Sequence, residues 1–226
     1  MMKLSIWQEF SSNNSARFTI VGVFRSPHDA QLSAQKLRDI LDNLTEWHIE
    51  HPAESDNIAQ DVYEGNITPV ERSLSEQYRI DWEFPVLWGS NYTLDVFDRF
   101  IFIYNNWGAD SGADPIDRLV LKLGAYEVTV SGSMIWNADD RHLDVSVSAT
   151  APTEKIAEML VSEMENASLG MSKALVRVHI DNITFTLSNV QVLKNAIKRL
   201  QDVNCTDISV RFEERRDFRV DLSDEE

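Results

Sequence analysis

The chain has 226 residues, 43% of them apolar, with 37 acidic and 21 basic side chains and a formal charge of −16. That is enough apolar material for one large or two small domains, and charged residues are too few for a disordered polyanion. The acid surplus repels phosphate backbones, which argues against nucleic-acid binding, and no apolar run approaches the roughly 20 residues that span a bilayer.

The acids are distributed: residues 1–113 carry 17 acids against 8 bases, and residues 114–226 carry 20 against 13. They therefore belong to the folded body, with Asp224-Glu225-Glu226 as a short acidic tail. The first ten residues lack the apolar core of a signal peptide, and the single cysteine, Cys205, cannot close an internal disulfide. A reducing, cytoplasmic setting and no membrane partner are expected.

Taken in chain order, residues 17–24 are β-branched and apolar on both faces and predict a central strand. Leu4, Ile6 and Trp7 suggest a partner strand before it, joined through Ser11–Ser15. Ser26-Pro27-His28-Asp29 is a helix start: a hydroxyl for the free amides, proline at the first position, and an acid at the positive end of the dipole. Ala30, Ala34, Leu37, Leu41 and Leu44 make one buried stripe, and Pro52 bounds the helix.

Residues 52–76 are polar and weakly patterned and read as a long inserted loop. Tyr78, Ile80, Trp82 and Phe84 alternate with polar residues and predict a strand. The run 100–104 predicts a strand covered on both sides. Asp114-Pro115-Ile116-Asp117 repeats the helix-start logic, and Ile116, Leu119, Val120 and Leu123 lead to Gly124 as a left-handed cap. Residues 126–136 and 142–149 alternate strictly, and Ala138–Arg141 would join them as a four-residue loop of the right parity.

The second half predicts a helix over 154–167, strands at 174–180 and 183–187, and a helix after Ser188 with Val190, Leu193, Ile197 and Leu200 inward. A strand through Ile208, Val210 and Phe212 follows, with another after Glu213–Arg216. Both halves read β-α-β-β-α-β. The expected fold is α+β, two tandem ferredoxin-like units with antiparallel or mixed sheets and helices on one face, over 1–138 and 139–226; one larger mixed sheet is the alternative. In element order alone this is similar to CRISPR RNA-processing proteins. The glycine-rich RNA-binding loop and basic surface that accompany that architecture are absent, and no family is assigned.

No phosphate-loop, dinucleotide, nucleophile-elbow or zinc-protease motif occurs. Three constellations remain. His48 and His51, three residues apart, could share a metal, although Pro52 ends their helix and the dipole explains histidines there. Asp110, Asp114 and Asp117 could hold a hard cation, although capping explains Asp114 and Asp117. Trp88, with Glu83 and Tyr92 nearby, reads as a loop aromatic able to anchor a basic partner, while Trp47, Trp82, Trp107 and Trp136 have core packing as their plain explanation. No cofactor is expected. The resulting expectation is an acidic interaction protein (inhibitor, immunity or adaptor) that binds a basic partner and is more an adaptor than an enzyme. A metal-dependent hydrolase using the carboxylate loop and a small-molecule sensor at the interface of the two units are the alternatives.

Overall fold

The computed structural model describes residues 17–51, 67–81, 92–105, 113–133, 139–182 and 187–218. Within them the chain is α+β, with two four-stranded antiparallel sheets and five helices. It divides into two compact units. The second is Arg141–Asp217, and the first comprises the described residues before it. Among the described residues no helix is long and apolar enough to cross a membrane.

The first unit begins with β1 (Arg17–Val23) and α1 (Pro27–Glu50). The Ser26 hydroxyl oxygen accepts from the Asp29 amide at 3.1 Å, and Pro27 occupies the first turn, as the sequence predicts. The next element departs from expectation. Residues 69–76, assigned to the 52–76 loop, and Tyr78, assigned to a strand, belong to helix α2 (Pro69–Tyr78). A capping box starts it: the Thr68 hydroxyl accepts from the Glu71 amide at 3.2 Å, and the Thr68 amide donates to the Glu71 carboxylate at 2.8 Å. Glu71 is fully buried in this role. Arg79 then turns left-handed (φ 54°, ψ 52°), so Tyr78 ends a helix instead of opening a strand. Residues 82–84 of the expected strand lie outside the described residues, as do residues 4–15.

The second strand of the sheet is β2 (Tyr92–Phe97), which sequence reading passed over. A two-residue turn with Asp98 at φ 51° joins it to β3 (Phe100–Asn105), Phe97 lying opposite Phe100. Helix α3 (Ala113–Lys122) follows, and Gly124 stops it at φ 111° before β4 (Glu127–Ser133). The strand order is β2-β3-β1-β4, and each of these pairs is antiparallel.

Alternation splits this sheet into two faces. Ile20, Phe24, Leu94, Ile101, Ile103 and Val130 join Leu37 and Leu41 of α1, Leu74 of α2 and Leu119 of α3 in one core. Gly22 faces α3, and a Cβ there would lie 2.6 Å from Val120 Cγ1, so the missing side chain lets the helix approach. The other face holds Thr19, Val21, Val23, Phe100, Phe102, Tyr104, Thr129 and Ser131, none more than 7% exposed. This matches, over residues 19–24 and 100–104, the two-sided burial predicted for these strands. Within it Thr93, Tyr104, Thr19 and Ser131 lie opposite one another in a row of hydroxyls across all four strands.

The second unit runs β5 (Asp139–Thr150), α4 (Glu154–Glu163), β6 (Ala167–Leu169), β7 (Leu175–Asn182), α5 (Leu187–Asp202) and β8 (Thr206–Phe218). The order is β8-β5-β7-β6. Leu143, Val145, Val147 and Ala149 are buried, as are Val176, Val178 and Ile180, the inward sets that alternation predicts. Leu160 of α4 and Val190, Leu193, Ile197 and Leu200 of α5 are buried too. Arg199 donates to the Glu163 carboxylate at 2.7 and 3.1 Å, tying the two helices together.

Four boundaries differ here. Asp139–Arg141, expected as a hairpin loop, already belong to β5, because strand pairing continues past the last alternating apolar residue. Helix α4 stops at Glu163, and Asn166 at φ 57° redirects the chain so that Ala167 enters a short strand. Leu187 opens α5 instead of closing a strand; residues 183–186 lie outside the described residues. Glu213–Arg216 continue β8 without a break, since a mixed charge run on an edge strand does not interrupt its backbone pairing.

Candidate functional site

The two histidines sit on the last turn and end of α1. His48 is in the helix, and its side chain lies outside the described residues. His51 is the C-cap; its ring stacks on Trp47 with centroids 4.6 Å apart, and its Nδ1 lies 2.8 Å from the Trp47 carbonyl oxygen. That contact engages one ring nitrogen in ending the helix. Asp110 lies outside the described residues. Asp114 falls within the first turn of α3, one residue inside its start, so it is not the residue preceding the helix. Asp117, four residues into α3, is half-buried. Among the described residues no group of three or more His, Cys, Asp or Glu side chains is placed to hold a metal ion.

Of the partner-binding residues, Glu83 and Trp88 lie outside the described residues. Tyr92 does not sit in a loop. It opens β2 and is 4% exposed in the first unit's core, which removes it from any surface a partner could touch. Its alternation with Leu94 and Val96 was the available signal. Of the tryptophans, Trp47 alone is described, half-buried on α1.

Two features went unremarked in the sequence. The first is a stripe of acids on α1. Asp39, Asp42, Glu46 and Glu50 are spaced by three, four and four residues, which places them on one side of the helix. Leu37, Ile40, Leu41 and Leu44 bury the opposite side. Asp39, Glu46 and Glu50 are exposed and Asp42 is half-buried. At 1.5 Å per residue the stripe is about 16 Å long. Glu50 occupies the last turn of the helix, where its dipole disfavours a carboxylate, so helix stability does not account for it.

The second feature lies on the polar side of the second sheet. Asp144, Ser146, His179 and Glu213 line a partly open cleft of about 310 Å³, with Val145 and Ile180 also lining it. Ser146 pairs directly with His179 across β5 and β7. Asp144 precedes Ser146 by two residues and shares its side of the strand, and Glu213 enters from β8. Arg211 Nη2 lies 2.8 Å from Glu213 Oε1 at this rim. The Ser148 and Ser209 hydroxyls, 2.8 Å apart, bridge β5 and β8. Alternation alone puts His179 on the polar side of its strand, but nothing local to it joins it to residues from two other strands.

Among the described residues Cys205 adds no chemistry to these features. Burial pushes the Cys205 thiol up from its ordinary value, which leaves it less reactive as a thiolate. Comparison with protein-family models, curated proteins and solved structures found no match for this chain.

Proposed function

We propose that the chain is an acidic protein-interaction module, an inhibitor, immunity or adaptor protein, that engages a basic partner in the cytoplasm. The observation that carries this reading is the α1 stripe of Asp39, Asp42, Glu46 and Glu50. Four carboxylates on one side of a long helix present a linear negative surface, and Glu50 among them stands where the helix dipole disfavours it. Residues that break a local rule without a local gain are the ones to suspect of function. A linear array of acids attracts a basic groove or helix, steers its approach and weakens with salt.

The architecture proposed for the module is two tandem ferredoxin-like units. The strand orders β2-β3-β1-β4 and β8-β5-β7-β6 support it, since both place the first strand of the unit between its third and fourth. In the first unit α2 is an additional helix within that plan. The lone half-buried Cys205 fits a reducing compartment.

The test is affinity purification from the native cell at two salt concentrations, with wild type and with the variant Asp39→Asn, Asp42→Asn, Glu46→Gln, Glu50→Gln. The reading expects one stoichiometric basic partner, released by moderate salt and lost by the neutralised variant. Capture that persists in molar salt, or equal capture by both proteins, would refute it.

A further inference from the structure

The cleft on the second sheet has the size and lining of a seat for one side chain. Its volume of about 310 Å³ is at the small end of ligand sites, so it suits a single head group and not an extended cofactor. Two carboxylates, a hydroxyl and an imidazole line it, a set dominated by hydrogen-bond acceptors. The complementary ligand is a cation rich in N–H donors. Glu213 also pairs with Arg211 at 2.8 Å, an exposed contact that an incoming guanidinium would share or displace. The lining residues stand on paired strands, with Ser146 and His179 directly opposite each other, which fixes their spacing before a ligand arrives.

We infer that this cleft seats an arginine side chain of the basic partner, the guanidinium lying between Asp144 and Glu213 with Ser146 and His179 beside it. The planar fork of arginine matches two carboxylates better than the compact ammonium of lysine does. The inference rests on the proposed function and adds to it a contact surface on the second unit, separate from the α1 stripe.

The experiment follows the His179 ring resonances of the full chain while a capped triarginine peptide is added, with agmatine as a second probe. Proteins compared are wild type, Asp144→Asn, Glu213→Gln and the α1 variant with four neutralised acids. A saturable His179 shift with the peptide is expected, weakened about tenfold by Asp144→Asn, the factor for one charged hydrogen bond. The α1 variant should titrate like wild type. Glu213→Gln, at an exposed strand position, keeps the test decisive if Asp144→Asn fails to fold. No His179 shift, or wild-type affinity in both cleft variants, overturns the inference. Peptide binding that weakens only in the α1 variant also overturns it while leaving the proposed function standing. Agmatine binding more tightly than the peptide overturns it too, because the seat would then favour a small free guanidine over a side chain of a protein. A cleft that titrates as expected in a protein whose native partner ignores salt refutes the proposed function and takes the partner's arginine with it.

Discussion

Replacing Gly22 by alanine should destabilise the first unit through one identifiable contact. The added Cβ would lie 2.6 Å from Val120 Cγ1, where ordinary contact begins at 3.4 Å, and 3.3 Å from Phe24 Cε2. Val120 is 1% exposed and β-branched, so it has no free rotamer into which to retreat. Either α3 moves away from the sheet or Val120 leaves its preferred geometry, an overpacking penalty of about 1–3 kcal/mol. The assay is urea unfolding followed by a probe of the first unit, read as a change in midpoint at constant slope. A second variant isolates the cause: in a Val120→Ala background the same Gly22→Ala change should lose most of its effect, giving a coupling of about 1 kcal/mol or more. If Gly22→Ala is neutral or stabilising in the wild-type background, or equally harmful in both, the close approach of α3 to β1 is not what the glycine serves.

The buried hydroxyl row supplies a second prediction. Tyr104 is 5% exposed, and its hydroxyl has no hydrogen-bond partner among the described residues, so Tyr104→Phe should be neutral or stabilise by up to about 1–3 kcal/mol in the same assay. Burial first, and the Asp95 carboxylate second, hold its phenol above the ordinary value of 10.0. Because the unfolded chain alone ionises near that pH, wild-type stability should be full below it and fall as pH rises further, with a shallower fall in the Phe variant. Finally, Thr68→Ala should cost about 1 kcal/mol and fray α2 while leaving α3 intact, measurable by amide exchange of residues 69–78. Unchanged exchange would remove the capping box from the account of that helix.

Legibility in the sequence followed the strength of the local pattern. Strands β1, β3, β5 and β7 have dense alternation or continuous apolar runs, and their inward residues were readable one by one. Helix α1 has a cap, an N-terminal proline and a five-residue stripe. Helix α2 has the same start signals, Thr68, Pro69 and Glu71, but a stripe of only Val70, Leu74 and Tyr78 in a polar background. The pair Tyr78 and Ile80 mimicked strand alternation because the left-handed turn at Arg79 has no sequence marker. Strand β2 was hidden for a related reason: Tyr92 followed a tryptophan in a proline- and glycine-containing stretch and looked like surface. The acidic stripe was readable in principle from its spacing, since the helix around it was predicted. The cleft was not. Its lining comes from three strands whose order depends on tertiary pairing, and nothing local to His179 announces Ser146 or Glu213.

The double burial of the first sheet has a consequence for where charge can go. Strands β1 and β3 have no wet side and carry no carboxylate, so the first unit's described acids stand on its helices, its turns and the strands β2 and β4. Strand β5 in the second unit alternates, and that sheet keeps Asp144 and Glu213 on one surface. A partner approaching this protein therefore meets two kinds of ground: on the first unit a helical row of anions, and on the second a strand surface with a notch lined by acids. Recognition of both would need a partner that is basic in two different shapes, a trough and a finger.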